Sequence, residues 1–231
     1  MKAKKVKGWF VGMKKKRSFF LAVGSLAAFV VWTVLITIVD VRVIGPRESS
    51  VGFAGLNGWF HNLTGVNMSL YVITDWLGLV PIAVAFGFAV LGLVQWIARK
   101  RILKVDGSIL ALGGFYIAVI AVYALFECVV VNYRPTLIEG YLEVSYPSST
   151  TMLVMCVMPT AMINLRDRIK NATARKCVLS LCALFIAFMV IGRLLSGVHW
   201  LTDIIGGLFV SVGLVEAYNT AYHSTMERNT R

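Results

Sequence analysis

Long apolar runs constrain this chain more than any other feature of its sequence. Six stretches are close to the about 20 residues that a helix needs to cross about 30 Å of hydrocarbon. They cover residues 18–40, 71–98, 107–131, 148–165, 178–196 and 199–222. With 58% hydrophobic and only 15% charged residues, a chain of 231 residues lacks the polar surface of a soluble domain. The sequence therefore predicts an all-α, polytopic membrane protein with six transmembrane helices.

The basic residues are distributed unevenly around these runs. Eight precede the first run, four follow the second, five follow the fourth and two lie at the C-terminus, all on one side of a six-span topology. By the positive-inside rule, both termini are then cytoplasmic. We expect a basic cytoplasmic segment (1–17), a membrane domain (18–222) and a cytoplasmic tail (223–231). The same charges meet anionic lipid headgroups, so a nucleic-acid partner is not needed to explain a net charge of +12.

Three ionisable residues interrupt the last apolar region: Arg193, His199 and Asp203. Ionisable groups at membrane depth are costly and tend to mark function. The guanidinium of Arg193 suits an oxyanion such as phosphate, and a neutral imidazole at His199 can act as a nucleophile. Asp203 follows His199 by four positions, so in a helix its carboxylate lies one turn from the ring and can fix the ring tautomer.

The polar segment between the third and fourth apolar runs adds a second group of candidate residues. Arg134 precedes Pro135, which marks the end of the third helix. Pro147 and the hydroxyl residues after it predict the start of the fourth helix, and the free amides of a helix N-terminus attract anions. A six-span topology brings this helix start, Arg134, Arg193 and His199 to one face. Together they predict a phosphate-binding site.

These residues resemble the motifs of the type 2 phosphatidic acid phosphatase and haloperoxidase superfamily, in its integral membrane lipid phosphatase branch. The motifs are, in chain order, Lys-x6-Arg-Pro, Pro-Ser-Gly-His and Ser-Arg-x5-His-x3-Asp. The chain has Glu127-x6-Arg134-Pro135, then Pro147-Ser148-Ser149-Thr150, then Gly192-Arg193-x5-His199-x3-Asp203. Order, spacing and six-span topology agree over roughly residues 18–222. The third motif is strong and the other two are partial.

The resemblance implies a phosphohydrolase that uses neither a metal nor a cofactor. His199 corresponds to the histidine that attacks phosphorus and becomes a phosphohistidine, and Asp203 corresponds to the aspartate that orients it. The groups that correspond to the phosphate-binding set of the family are Arg134, Arg193, Ser148 and nearby backbone amides such as that of Ser149. Fixed cations and amides suit the charge that spreads over the equatorial oxygens of a transferred phosphoryl group.

Two departures from the family pattern bear on catalysis, whereas the change of the family glycine to Ser149 is milder. Glu127 stands in place of the lysine, and Thr150 stands in place of the histidine that protonates the leaving group. Losing a general acid typically costs about 10²–10⁴-fold in rate. A diphosphate substrate reduces the need for the acid, because its leaving group is a phosphate. Alternatively, Glu127 holds a proton at the membrane boundary and is itself the catalytic acid.

Three functions therefore stay open at the level of the sequence. The first is a phosphatase that hydrolyses phosphatidate, phosphatidylglycerol phosphate or a polyprenyl diphosphate at the extracytoplasmic face. The second is a phosphotransferase that uses the same histidine. The third is a catalytically degenerate protein that binds or moves lipid phosphates, for which Glu127 and Thr150 are the main indication. We expect a bacterial plasma membrane, since no transit or retention signal is found. The oligomeric state is left open.

Overall fold

A computed structural model describes the backbone of residues 2–230 and the side chains of residues 12–225. The helices are α1 (Lys2–Ile38), α2 (Ala54–Thr64), α3 (Met68–Leu77), α4 (Leu79–Arg99), α5 (Gly107–Cys128), α6 (Ser149–Arg168), α7 (Ala172–Leu195) and α8 (Leu201–Thr230). Two short strands, β1 (Arg42–Val43) and β2 (Ser50–Val51), pair antiparallel between α1 and α2. Short 3₁₀ turns occupy Pro46–Glu48 and Ile102–Lys104.

Five stretches of helix in the described part of the chain are long and apolar enough to cross a membrane. They are Gly12–Ile38, Met68–Arg99, Gly107–Cys128, Ala172–Leu195 and Leu201–Thr225. They correspond to the first, second, third, fifth and sixth predicted spans, and the second is built from α3 and α4, which join at Gly78. The predicted all-α membrane fold is thus confirmed, whereas the number of six spans and the cytoplasmic position of the termini stay predictions.

The fourth apolar run forms α6, which is more polar than the five candidate spans. It packs against α4, α5, α7 and α8, and its buried residues include Thr151, Thr160 and Asn164. The Thr160 hydroxyl donates to the Cys156 carbonyl at 2.8 Å, and Asn164 donates to the Tyr218 hydroxyl at 2.7 Å. Because neighbouring helices enclose much of α6 and its polar groups are paired, it needs less lipid-soluble surface than an outer helix.

The polypeptide that precedes α6 is fixed by an aromatic cluster. Tyr146 stacks on Phe29 of α1 with ring centroids 6.1 Å apart, and Phe126 of α5 meets the Tyr146 ring edge-on at 5.6 Å. The Tyr146 and Thr33 hydroxyls share a hydrogen bond of 2.7 Å. Buried aromatic pairs of this kind stabilise beyond the area they bury, by about 0.5–1.5 kcal/mol each. The cluster therefore holds the segment next to Tyr146 at a fixed place over α1 and α5.

A second anchor holds the start of α8. Asn57 of α2 is fully buried, and its side-chain amide donates to the Gly52 carbonyl at 2.8 Å and to the Thr202 hydroxyl at 2.9 Å. Its oxygen accepts a hydrogen bond from the Thr202 amide at 3.2 Å. A buried side-chain amide is stable only when such partners satisfy it. The first turn of α8 is thereby tied to α2.

The predicted division of the chain falls partly outside the described side chains. The described side chains do not include residues 1–11 of the predicted basic segment (1–17). They also do not include residues 226–231 of the predicted tail (223–231). The membrane domain over 18–222, flanked by two cytoplasmic ends, accordingly stays a prediction.

Candidate active site

The turn between α7 and α8 brings the end of one helix against the start of the next. The Ser196 hydroxyl donates to the Arg193 carbonyl at 2.7 Å, and the Asn67 amide donates to the Ser196 carbonyl at 2.9 Å. Gly197 has a positive φ of 68°, and a Cβ at this position would lie 1.9 Å from the Gly65 carbonyl oxygen. Glycine is therefore required here, both for the backbone conformation and for the close approach of the α2–α3 connection.

The segment between α5 and α6 folds back on itself and lies over this turn. The Arg134 amide donates to the Glu143 carbonyl at 3.0 Å, and the Ser145 amide donates to the Asn132 carbonyl at 2.9 Å. The Trp200 indole donates to the Tyr133 carbonyl at 2.8 Å. These bonds set Arg134 and the pair Asn132 and Ser145 next to the first residues of α8.

Two arginines meet at the Nε2 atom of His199. Arg134 Nη1 lies 3.4 Å from this atom and Arg193 Nη2 lies 3.3 Å from it. All three side chains are buried, and Arg193 is only 1% exposed. A guanidinium can donate hydrogen bonds but cannot accept them, so Nε2 is the acceptor and carries the free lone pair. The proton of the neutral ring is then on Nδ1.

A serine lies between the ring and the carboxylate on the Nδ1 side. Ser145 Oγ is 3.0 Å from His199 Nδ1 and donates a short hydrogen bond to Asp203 Oδ2. Asn132 Nδ2 donates to Asp203 Oδ1 at 3.0 Å and the Trp200 amide donates to Oδ2 at 2.9 Å. The distance from His199 Nδ1 to Asp203 Oδ2 is 4.0 Å, too long for a hydrogen bond. The spacing predicts a carboxylate one helical turn from the ring that can fix its tautomer, and the structure places Ser145 between the two groups.

The surroundings of His199 favour its neutral form. The residue lies in the turn outside the candidate spans. Burial lowers the pKa of His199 well below its ordinary value of 6.5, and the positive charges of Arg134 and Arg193 lower it further, while the backbone of Ser145 acts in the opposite direction. Desolvation and like charge both disfavour the imidazolium. The ring is therefore unprotonated at Nε2 near neutral pH, as a nucleophile requires.

Tyr71 of α3 supports both guanidiniums. Its ring centroid lies 4.9 Å from the Arg193 Cζ atom and 5.9 Å from that of Arg134, so both cations face the ring. Helix α3 reaches this position because Gly192 of α7 has no side chain. A Cβ there would lie 2.7 Å from Thr74 Cγ2 on α3. The residue that replaces the serine of the third motif therefore allows the close α3–α7 contact.

Each arginine also has an acidic partner at the edge of the site. Arg134 Nε lies 2.9 Å from Glu143 Oε2, and Arg193 Nη1 lies 3.6 Å from Asp75 Oδ1. The carboxylates are partly exposed, with 42% of the Glu143 side chain and 58% of the Asp75 side chain accessible. Solvent screens such pairs, so they are weak. A phosphate that enters the site competes with these two carboxylates for the arginines.

Unpaired donors lie around the same point. Arg193 Nε and Nη1 are buried and have no hydrogen-bond partner among the described residues, a costly condition that an anionic ligand relieves. The first-turn amides of α6 lack intrahelical acceptors, as in every helix, and attract an anion. Ser148 is fully buried just before this turn, where its amide donates to the Asp203 carbonyl at 3.2 Å and its hydroxyl accepts from Thr151 at 3.1 Å.

The two departures from the family pattern lie at different places. Glu127 lines a small cavity together with His199, Ser145 and Ser149. Thr150 lines a neighbouring apolar groove between α4, α5 and α6 instead, and the cavity and groove meet at Ser149 and at two further residues, Tyr123 and Met152. Glu127 and Thr150 thus line different spaces, and Glu127 shares its cavity with His199.

Several residues at this site carried no clear signal in the sequence: Tyr71, Asn132, Glu143 and Ser145. Asn132 and Ser145 are neighbours only because the segment after α5 folds back, and Tyr71 reaches the arginines only because α3 packs on α7. Among side chains 12–225, no group of three or more His, Cys, Asp or Glu residues is arranged to hold a metal ion. Independence from metals stays a prediction.

A family model described as the PAP2 superfamily matches residues 128–226. The resemblance found in the sequence is thereby confirmed, and the matched stretch contains Arg134, Arg193, His199 and Asp203. None of the curated proteins that were compared matches the chain.

A solved structure has a similar fold over most of both chains. It is described as the first transmembrane PAP2 type phosphatidylglycerolphosphate phosphatase from Bacillus subtilis. The two chains are 17% identical with a TM-score of 0.53, and the similarity covers 87% of this chain and 94% of the other. At this identity the similarity is one of fold. The shared fold agrees with the apolar helices of an integral membrane protein.

Proposed function

We propose that this protein is an integral membrane phosphatase that hydrolyses a lipid phosphate or diphosphate through a phosphohistidine at His199. The observation that carries the proposal is the pair of guanidiniums at His199 Nε2, with Arg134 at 3.4 Å and Arg193 at 3.3 Å. A neutral nucleophile between two fixed, buried cations matches the needs of phosphoryl transfer, in which positioning and charge stabilisation supply most of the catalysis.

The proposed reaction has two steps. In the first, the lone pair of His199 Nε2 forms a bond to phosphorus, the P–O bond to the lipid breaks, and the leaving oxygen keeps the electron pair and takes a proton. In the second, water attacks the phosphohistidine, the N–P bond breaks and inorganic phosphate leaves. The equatorial oxygens are held by Arg134, Arg193 and the amides at the start of α6, with Ser148 and Ser149 at this helix end.

The proton for the leaving oxygen is assigned to Glu127 when the substrate is a monoester. Support comes from its place in the cavity that His199 also lines. Thr150 is a poor general acid near neutral pH, and it lines the groove rather than this cavity. When the substrate is a diphosphate, the leaving group is a lipid monophosphate, which needs little help from an acid.

The hydrocarbon tail of the substrate is proposed to lie in the groove between α4, α5 and α6. Its walls are mostly apolar, with Ile82, Val119 and Leu153 among them, and Ser149 belongs to both groove and cavity. A lipid can thus keep its tail in an apolar environment while its phosphate reaches His199. Phosphatidate, phosphatidylglycerol phosphate and a polyprenyl diphosphate all fit this description. The printed activity of the Bacillus subtilis protein of similar fold is an argument for testing phosphatidylglycerol phosphate first.

The orientation is proposed from charge. Arg134, Arg193 and His199 lie at the end of the bundle away from the basic connections that follow α4 and α6. If these connections are cytoplasmic, as the positive-inside rule predicts, the site opens toward the extracytoplasmic side of a plasma membrane. A bacterial membrane is the expected setting.

Two structural features favour the alternative of a lipid-phosphate binding protein without hydrolysis. Thr150 does not line the His199 cavity, and Glu143 and Asp75 already neutralise part of the arginine charge. Such a site binds a phosphate and leaves the ester bond intact. A phosphotransferase differs from both in passing the phosphoryl group from His199 to an acceptor other than water.

The test is phosphate release by purified protein in detergent from a panel of lipid monophosphates and diphosphates, with a chelator present. We expect release that survives the chelator and that is lost in His199→Ala. Release equal in wild type and His199→Ala contradicts the proposal. Binding of lipid phosphates without release favours the binding protein, and release only when an alcohol acceptor is added favours the phosphotransferase.

A further inference from the structure

We propose that Ser145 is a positioning residue through which Asp203 acts on His199, so that the orienting unit of this site has three members instead of two. The inference rests on the proposed function, because it concerns the nucleophile of that reaction. It adds Ser145 to the expectation drawn from the third motif, in which Asp203 orients His199. The argument starts from the two ends of the chain of hydrogen bonds.

The end at Nε2 fixes the proton of the ring. Arg134 Nη1 and Arg193 Nη2 both lie within 3.4 Å of this nitrogen, and neither group can accept a hydrogen bond. Nε2 therefore has no proton, and in a neutral ring Nδ1 has one. The nearest side-chain acceptor for the Nδ1 proton is Ser145 Oγ, 3.0 Å away.

The end at Asp203 fixes the proton of the serine. Asp203 accepts hydrogen bonds from Asn132 Nδ2 and from the Trp200 amide, both of which only donate in these contacts. These donors stabilise the carboxylate form. The Ser145 hydroxyl then donates to Asp203 Oδ2, and its remaining lone pairs are free to accept from His199. Both ends thus require the same direction: His199 Nδ1–H to Ser145, and Ser145 O–H to Asp203.

Direct contact between His199 and Asp203 is prevented by the way both are held. Nδ1 and Oδ2 are 4.0 Å apart, and Asp203 is completely buried with both oxygens engaged. Ser145 is itself fixed by its backbone bond to Asn132 at 2.9 Å and by the neighbouring Tyr146 in the aromatic cluster. A hydroxyl held in this manner transmits orientation, since its own rotation is determined by Asp203.

The consequence concerns the phosphorylated ring. When Nε2 forms its bond to phosphorus, the ring becomes cationic while Nδ1 keeps its proton. The negative charge of Asp203 then stabilises that cation through Ser145 instead of through a direct contact. Removing the hydroxyl therefore leaves the Nδ1 proton without its side-chain acceptor and Asp203 without its link to the ring, whereas the phosphate-binding groups are unchanged.

The first test reads the ring tautomer and needs no turnover. Protein labelled with ¹⁵N-histidine contains three histidines, and the His199 signals are identified by their loss in His199→Ala. We expect an unprotonated Nε2 in the wild type and in both variants, because Arg134 and Arg193 stay in place, and a changed Nδ1 chemical shift in both Ser145→Ala and Asp203→Asn, because the hydrogen bond from the Nδ1 proton is weakened. The double variant should resemble either single one. A Ser145→Ala spectrum identical to wild type, with a change in Asp203→Asn, overturns the proposal.

The second test is a kinetic cycle on a substrate that the wild type hydrolyses. Ser145→Ala is expected to lower kcat by about 10–100-fold, as loss of an outer orienting partner typically does, with KM changed less than threefold. Asp203→Asn should then have much less effect in the Ser145→Ala background than alone, since coupled residues are not additive. Fully additive effects overturn the proposal.

Two further variants separate orientation from folding. Ser145→Cys keeps the volume of the side chain but forms weaker hydrogen bonds, so kcat should fall in the same direction as in Ser145→Ala. Ser211→Ala removes another completely buried serine hydroxyl, on α8 next to Met152, and should leave kcat and the Nδ1 chemical shift of His199 unchanged. A kcat loss in Ser211→Ala equal to that in Ser145→Ala overturns the specific role. If the wild type shows the expected tautomer but releases no phosphate, the proposed function is wrong. The hydrogen bonds that link His199, Ser145 and Asp203 are still supported in that case.

Discussion

Arg193 and His199 are six positions apart, yet Arg193 Nη2 lies 3.3 Å from His199 Nε2. The contact depends on the reversal of the chain between α7 and α8, where Gly197 has a positive φ and lies against the Gly65 carbonyl. The last turn of α7 thereby supplies the cation, and the turn itself supplies the imidazole. A short stretch of sequence thus builds the charged centre of the site from two helices that run in opposite directions.

The planar arrangement of donors in the Arg193 guanidinium should matter more for catalysis than its positive charge. In Arg193→Lys the cation is kept, but the planar donors that reach His199 Nε2 and the phosphoryl oxygens are lost. We expect kcat to fall by about 10²–10³-fold, the usual loss for a donor that stabilises the transition state. Arg175→Lys is the matched control, because the Arg175 guanidinium donates to the Ile169 carbonyl, away from the site. Equal kcat values in the two variants would contradict the assigned role.

Asp75 should weaken phosphate binding, because its carboxylate competes for Arg193. In Asp75→Asn the 3.6 Å ion pair is removed, and we expect the inhibition constant of inorganic phosphate to fall by about two- to fivefold at low salt, since exposed pairs are weak and screened. The difference should shrink as salt is raised. Glu139→Gln removes an exposed acidic charge from the segment between α5 and α6 and serves as the control. An unchanged or higher inhibition constant in Asp75→Asn excludes the competition.

The pH dependence follows from the lowered pKa of His199. Burial and the two arginines lower the pKa of His199 well below 6.5. The ring therefore stays neutral as the pH falls through 6.5 and becomes protonated only at a lower pH. The nucleophile is thus lost on the acid side, at a pH below the ordinary range of histidine. Titration of the ¹⁵N signals of His199 should have its midpoint under 6.5. A midpoint at or above 6.5 is incompatible with this electrostatic environment.

Glu127 is tested by comparing two classes of leaving group. If its carboxyl group supplies the proton, Glu127→Gln should lower kcat on a lipid monophosphate by about 10²–10⁴-fold. On a lipid diphosphate, whose leaving group is a lipid monophosphate, kcat should fall much less. The measurement is the initial rate of the wild type, of Glu127→Gln and of the control Glu139→Gln on both substrates. Full hydrolysis of the monophosphate by Glu127→Gln removes Glu127 from the mechanism.

Much of the fold could be predicted because it depends on local hydrophobicity. The apolar runs correspond to helices α1, α3 with α4, α5, α7 and α8, and the Ser-Ser-Thr-Thr segment after Pro147 does begin α6. Helix α6 is not among the five stretches that are long and apolar enough to cross a membrane, so its place as a span stays a prediction. Its threonines and Asn164 are satisfied by neighbouring helices, a contribution that no window of sequence contains.

The site was predictable where one segment holds several functional groups together. Arg193, His199 and Asp203 share such a segment, and their spacing is enough to bring them close. Ser145 and Tyr71 were not predictable, since their places depend on the fold-back after α5 and on the contact between α3 and α7. The spacing predicts that Asp203 lies one helical turn from the ring, but it carries no information on Ser145, which reaches the same place from the segment between α5 and α6.

Trapping of the phosphoenzyme tests the central claim most directly. Purified protein is mixed with lipid phosphate labelled with ³²P and quenched in alkaline detergent, which preserves phosphohistidine. We predict label on the peptide that contains His199, no label in His199→Ala, and undiminished label in Ser211→Ala. Phosphate release without any labelled intermediate, or label that persists in His199→Ala, would contradict the account.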